Sequence, residues 1–306
     1  MADFSISEAL GVGTGLLTRK PLAVLAWGVL PVIVIVPFLL LFAGTLIAVI
    51  SEASRAGADQ SAIAAAILPQ IGALFLFVLL AIVIAWVLSA MIGAAAYRAV
   101  LHPEQSGFAY LRFGSQELWL MAVGFVMGLV FFGIGLALSI PQAIVNLAML
   151  NSDVGPRITA VLLFTLAREV ITIWIWLRLS MALPMTFAQR KFQLFESWAI
   201  TRGHTLQLLG FSVLAIVMLS VVNFVVLVVG VGGTFALAGG AIAAARANPQ
   251  AFFASPQAVI AAAGPALGLW AVLLVITSGV STAIFRAPFA HIYRSLAGED
   301  AAATFT

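Results

Sequence analysis

The chain has 306 residues, of which 63% are hydrophobic and only 8% are charged, and its formal net charge is +3. A soluble domain carries about 25% charged residues, so this composition excludes an ordinary soluble protein and indicates one that lies in lipid. The absence of cysteine excludes disulfides, thiolate metal sites and a cysteine nucleophile. No stripe of Lys and Arg alternates with aromatic residues, so nucleic acid is not an expected partner.

Six apolar runs exceed the roughly 20 residues that cross a bilayer core. They are continuous rather than alternating, which predicts helices and not barrel strands. The predicted fold is therefore all-α, a polytopic membrane bundle of six transmembrane helices. In chain order the predicted spans are Leu22–Ile50, Gln70–Ala96, Trp119–Leu150, Ile158–Ala188, Leu206–Val231 and Ala258–Phe289.

A short amphipathic segment precedes the first span. At helical spacing its apolar residues fall on one face, opposite Ser7 and Glu8. The segment is predicted to be a helix that lies along the headgroups or caps the bundle on the cytoplasmic side. Because acidic residues precede its basic pair, we do not expect a cleaved signal. The apolar face consists of Ile6, Ala9, Leu10, Gly13, Leu16 and Leu17.

Prolines lie inside several predicted spans, and glycines cluster around the end of the fifth. The prolines predict kinks satisfied by neighbouring helices, with a functional hinge as the alternative. A glycine cluster after the fifth span predicts either close helix packing or a flexible external loop. The prolines are Pro31, Pro37, Pro141, Pro184, Pro265 and Pro288, and the glycines are Gly230, Gly232, Gly233, Gly239 and Gly240.

The distribution of Lys and Arg between the loops predicts orientation. Eight basic residues fall on one side of the predicted spans and three on the other. The positive-inside rule places the richer side, with both chain termini, in the cytoplasm. The eight are Arg19, Lys20, Arg98, Arg112, Arg190, Lys191, Arg202 and Arg294, and the three are Arg55, Arg157 and Arg246.

Internal similarity predicts a threefold repeat. Tyr97-Arg98 and Tyr293-Arg294 close the second and sixth helices, and a proline stands six positions before an arginine in both the fourth and sixth spans. Each unit would consist of a short interfacial helix, a membrane helix, an external loop and a second membrane helix. The units cover about 1–106, 107–191 and 192–306 of one membrane domain. Because a two-helix unit returns to its starting side, the copies are predicted to be parallel.

Four charged residues within the spans are the candidate functional or structural polar residues: Arg168, Glu169, Arg178 and Arg286. We expect Arg178 near mid-membrane, because the run from Val170 to Ala188 is long enough to cross the core. A charge there needs a partner, a water path or a lipid headgroup. If the helix begins near Val170, Arg168 and Glu169 are external interface residues.

One stretch carries a family resemblance. Arg178-Leu-Ser-Met-Ala-Leu-Pro184 is followed by Ser197-Trp-Ala-Ile-Thr-Arg-Gly203 and a new apolar helix. This pattern resembles the bacterial glycerophosphoryl diester phosphodiesterase membrane-domain family, which includes six-helix inner-membrane proteins. The resemblance implies a location in the bacterial cytoplasmic membrane. Some family members carry a fused phosphodiesterase, but this chain has no room for that catalytic barrel, so no catalytic residue is carried over.

The sequence favours no enzymatic chemistry. It has no Gly-x-Ser-x-Gly, no His-Glu-x-x-His and no phosphate-binding loop, and His102, His204 and His291 lack ligand spacing, so neither a metal nor another cofactor is expected. The expected function is a non-catalytic membrane module that organises lipids or partner proteins. A transporter or channel for a small or lipidic solute is the alternative. Membrane lipids are the expected partners, and other membrane or cytoplasmic proteins are further candidates.

Overall fold

A computed structural model describes residues 4–56, 60–248 and 256–298. The chain is 88% helical, and no strand occurs among the described residues. Ten α-helices account for the described fold. They are α1 (Ile6–Arg19), α2 (Pro21–Ala56), α3 (Gln60–Leu101), α4 (Ser115–Ala148), α5 (Val154–Leu179), α6 (Ala182–Gln189), α7 (Glu196–Ile200), α8 (Thr205–Ala247), α9 (Pro256–Ser281) and α10 (Ala287–Ala297).

Six stretches of the described helices are long and apolar enough to cross a membrane, which confirms the predicted all-α polytopic bundle. Several helices run beyond the predicted spans. The fifth span was predicted to end at Val231, whereas α8 continues to Ala247. Glycine is tolerated in membrane helices, so the glycines after Val231 do not end this one.

Two prolines coincide with disturbed helix geometry. A proline removes its own N–H, and its ring clashes with the carbonyl four residues earlier. Before Pro184 the helix stops at Leu179 and restarts at Ala182. Before Pro288 the residues Thr282–Arg286 form a π-helix. The α-helix is thus interrupted before Pro184 by a break and before Pro288 by a π-helical turn.

The described residues form two compact units, and the first consists of residues 4–14, 93–215 and 285–298. Aromatic rings make up part of its core. Phe211 and Phe289 meet edge-on at 5.3 Å, and Trp176 stacks on Phe285 at 5.9 Å. The predicted apolar face of α1 points inward: Ala9 is fully buried, whereas Ser7 and Glu8 are exposed.

The second unit consists of residues 15–56, 60–92, 216–248 and 256–284, and a close crossing of α2 and α9 lies within it. A Cβ built on Gly28 would lie 1.9 Å from the Val275 carbonyl oxygen, and one on Gly279 would lie 2.3 Å from the Val24 carbonyl oxygen. Only glycine permits this approach of two helix backbones.

Helices α8 and α9 of the second unit also meet at glycines. A Cβ on Gly230 would lie 2.6 Å from the Trp270 ring, and one on Gly233 would lie 2.3 Å from Leu269. The Trp270 indole N–H donates to the Thr234 hydroxyl at 2.9 Å. Close helix packing is therefore the correct interpretation for these two glycines, and the alternative of an external loop is wrong for them.

The threefold repeat stays a prediction. The first compact unit takes segments from all three proposed repeats, and the second takes segments from the first and third only, so the division into units follows a different boundary. Superposition of the three two-helix segments by rotation about an axis along the membrane normal is the property that the repeat predicts.

Candidate functional site

The break between α5 and α6 leaves backbone groups that Ser197 satisfies. The Ser197 hydroxyl donates to the Arg178 carbonyl oxygen at 2.7 Å and accepts from the Met181 N–H at 3.2 Å. The Thr201 hydroxyl also donates to the Arg178 carbonyl oxygen, at 3.3 Å. Ser197 and Thr201 are fully buried. The short helix α7 is thus held against the end of α5 by side chains that replace helical hydrogen bonds.

The docking of α7 brings an indole to the Arg178 side chain. The guanidinium carbon lies 5.4 Å from the Trp198 ring centroid and 5.8 Å from the Trp174 ring centroid. The two indoles meet edge-on, with centroids 5.1 Å apart. Arg178 is half-buried, Trp198 is 36% exposed and Trp174 is 45% exposed. We call these three residues, Arg178, Trp174 and Trp198, the arginine–indole site.

The Arg178 side chain is incompletely satisfied. Its Nε and Nη1 atoms are buried and have no hydrogen-bond acceptor among the described residues. A cation–π contact contributes about 0.5–2 kcal/mol, and a cation near a helix C-terminus gains roughly 0.3–1 kcal/mol. Each buried donor without an acceptor costs about 1–3 kcal/mol. The protein contacts therefore roughly balance the cost and leave the cation able to gain from an incoming acceptor.

Arg178 lies near the end of its helix, and its predicted depth near mid-membrane stays a prediction. Arg178 is the second-last residue of α5, and the run from Val170 to Ala188 is broken after Leu179. The physical reason is Pro184, which cannot continue the helical hydrogen bonding. The two exposed indoles beside Arg178 also fit a membrane–water boundary, where tryptophan is enriched.

Arg168 and Glu169 lie in the interior of α5, because the helix already begins at Val154 and not near Val170. Their side chains are about half exposed, and Arg168 Nε lies 3.9 Å from Glu169 Oε1. Along the axis Arg168 is about 15 Å from Arg178 at roughly 1.5 Å per residue. The structure therefore separates this pair from the arginine–indole site on the same helix.

Arg286, the fourth candidate, ends the π-helical turn before α10. It is half-buried, and its Nη1 atom lies 3.5 Å from the position of a Cβ built on Gly93. Of the four candidates, Arg178 is therefore the one that belongs to the arginine–indole site, while Arg286 packs elsewhere in the first unit.

The sequence did not predict the buried ion pair between Arg98 and Glu117. Arg98 and Glu117 are 2% and 1% exposed, and Arg98 Nη2 donates to Glu117 Oε1. Arg98 Nη1 donates to the Tyr110 carbonyl oxygen, and its guanidinium lies 5.3 Å from the Phe187 ring centroid. Glu117 Oε2 accepts from the Gly114 N–H at 2.9 Å, where α4 begins. The available signal was an acidic residue at the start of a long apolar run.

His102 lies just after α3, close to this ion pair. Burial is the main cause that lowers the pKa of His102 below its ordinary 6.5, and Arg190 and Arg98 lower it further, while Glu104 opposes them. The ring also contacts Phe187, at 6.4 Å between centroids. The neutral imidazole is therefore the form that this environment favours.

The six helices that are long and apolar enough to cross a membrane define a multi-pass α-helical membrane protein. No protein-family model, curated protein sequence or solved structure matches this chain.

Proposed function

We propose that this protein is a non-catalytic module of the bacterial inner membrane that organises membrane lipids or partner proteins. The observation that carries the proposal is an apolar cleft between α2 and α3, within the second compact unit. Its volume of about 330 Å³ falls in the roughly 300–1,000 Å³ range of ligand pockets.

Hydrocarbon side chains alone line this cleft. Phe38 and Phe77 meet edge-on at 5.3 Å across it, and Phe42 approaches Phe77 at 6.4 Å. Such a lining offers dispersion contacts and no polar partner, so it suits an acyl chain rather than an ion or a polar solute. The lining residues are Val34, Ile35, Phe38, Phe42, Phe77, Val78, Ala81, Ile84 and Ala85.

Filling the cleft tests the proposal. Ala81→Phe adds a ring to the lining, whereas Ala137→Phe adds the same ring to an exposed position on α4. We expect native mass spectrometry of the detergent-purified protein to show fewer co-purified lipids for the first variant and an unchanged number for the second. Equal lipid retention in the wild type and both variants would contradict the proposal.

The kinship with glycerophosphoryl diester phosphodiesterase membrane domains is part of the proposal. Its support is that the motif residues Arg178, Pro184, Ser197 and Thr201 act together at one helix break. A motif that serves local backbone chemistry explains why those residue types stand at that spacing. The resemblance carries no phosphodiesterase activity to this chain.

The cytoplasmic placement of both termini follows from the bias in basic residues. A reporter fused after Thr306, or inserted between Gln105 and Gln116, should report the cytoplasm, and one near Gly57 should report the opposite side. A periplasmic signal from the C-terminal fusion would refute this orientation.

A further inference from the structure

We propose that the arginine–indole site binds the phosphate group of a membrane lipid in the cytoplasmic leaflet. This inference rests on the proposed lipid-organising function and names a headgroup site for it. The ligand chemistry is a phosphate oxyanion, which a lipid headgroup or a free phosphate could supply.

The geometry of the guanidinium points to an oxyanion. Arg178 presents N–H donors, two of which, on Nε and Nη1, are buried without an acceptor among the described residues. It also makes no ion pair within that part of the chain, whereas Arg98 and Arg168 each pair with a carboxylate. A planar guanidinium with free donors matches two oxygens of a phosphate group.

The surroundings of Arg178 indicate where the ligand comes from. Trp174 and Trp198 flank the guanidinium and are 45% and 36% exposed, so the site lies at the protein surface. Indoles favour the headgroup region of a bilayer, where one edge meets hydrocarbon and the N–H meets water. A phosphate that arrives at this depth is therefore part of a lipid rather than a solute from the bulk.

The two flanking indoles are held differently. Trp174 belongs to α5 itself, whereas Trp198 belongs to the five-residue helix α7. The Ser197 and Thr201 hydrogen bonds that hold α7 do not involve the Trp198 ring, because they come from other side chains. Replacing Trp198 therefore changes the ring beside the guanidinium and leaves the docking of α7 in place.

The test compares two arginines of one helix. Arg178→Gln removes the charge at the site, and Arg157→Gln removes an exposed charge in the first turn of α5. Each detergent-purified protein is titrated with dioleoylphosphatidylglycerol, and bound lipid is counted by native mass spectrometry. We expect Arg178→Gln to raise the Kd of the first lipid roughly tenfold or more, and Arg157→Gln to change it less than twofold.

A second pair of probes separates the source of the phosphate. Dioleoylglycerol has the same acyl chains without phosphate, so Arg178→Gln should leave its binding unchanged. Inorganic phosphate at millimolar concentration should fail to displace phosphatidylglycerol if the lipid is the ligand. Displacement would support the oxyanion site but assign it to a soluble phosphate.

Two results would overturn the inference. One is an unchanged Kd for phosphatidylglycerol in Arg178→Gln, and the other is an equal rise in Kd for Arg157→Gln. If Ala81→Phe still lowers lipid retention in that case, the proposed function stands and only the headgroup site is refuted. If Arg178→Gln does not fold, Trp198→Leu serves instead, because it leaves the α7 backbone contacts intact, and it should weaken phosphatidylglycerol binding but not dioleoylglycerol binding.

Discussion

Replacing Ser197 by alanine should destabilise the protein, because its hydroxyl satisfies two backbone groups at the α5–α6 break. The hydroxyl accepts from the Met181 N–H at 3.2 Å and donates to the Arg178 carbonyl oxygen at 2.7 Å. Ser197 and Met181 are both fully buried, so water does not replace the lost partner easily.

The expected loss of folding stability is the sum of two contributions, one from the Met181 N–H and one from the Arg178 carbonyl oxygen. The Met181 N–H is left unsatisfied, which costs about 1–3 kcal/mol. The Arg178 carbonyl oxygen retains the Thr201 hydroxyl at 3.3 Å, so its loss is that of one ordinary hydrogen bond, about 0.5–1.5 kcal/mol. The sum, roughly 2–4 kcal/mol, corresponds to a fall in Tm of at least several degrees.

A thermal melt in detergent, followed by size-exclusion chromatography, measures this loss. The matched control is Ser139→Ala, because the Ser139 hydroxyl is exposed and donates only to a carbonyl of its own helix. We expect the control to change stability by less than about 0.5 kcal/mol.

A double-mutant cycle tests the cause rather than the size of the effect. Pro184→Ala restores an N–H that can donate to the carbonyl four residues earlier, which lets the helix continue through the break. Ser197→Ala should then cost less in the Pro184→Ala background than in the wild type. Strict additivity of the two changes would refute the reasoning that Ser197 serves the groups left by the break.

Three further predictions concern helix packing in the second unit and buried charge in the first. Gly28→Ala should lower the stability of the folded protein by about 1–3 kcal/mol or more, because the added Cβ would lie 1.9 Å from a backbone carbonyl oxygen. The control is Gly44→Ala on the same helix, whose Cβ would meet nothing within 4 Å, and it should be neutral or stabilising in the same thermal melts. Arg98→Met and Glu117→Leu should each cost about 3–5 kcal/mol alone and much less together, which a double-mutant cycle measures. Because burial lowers the pKa of His102, the folded state resists protonation, so stability should fall as the pH drops below 6.5, and His102→Gln should flatten that part of the stability curve.

The transmembrane architecture followed from sequence because hydrophobicity and length determine it directly. A run of apolar residues longer than the bilayer core has few alternatives to a membrane helix. Where the helices end was harder to predict. α8 extends past Val231 because its glycines contact α9, and that contact depends on residues about 36 positions away, such as Trp270 against Thr234.

The candidate site was predicted in part. Arg178 stood out because charge is rare in this chain, but the helix break after Leu179 was not predicted, because a proline alone does not indicate where a helix breaks. The Arg98–Glu117 pair was missed because the partners are 19 positions apart in different helices. Nothing in either local sequence indicates that two long side chains become buried together.

The arginine–indole site is built around the helix break that precedes Pro184. The break between α5 and α6 leaves the Arg178 carbonyl and the Met181 N–H without helical partners. Hydroxyl side chains four positions apart, Ser197 and Thr201, satisfy these groups and so fix α7 against the end of α5. The residue after Ser197 is a tryptophan, and this docking is what places its ring over the Arg178 side chain. The Pro, Ser, Trp and Thr positions of the motif are therefore coupled through the backbone, and a change that prevents the docking of α7 must also disturb any ligand held by Arg178.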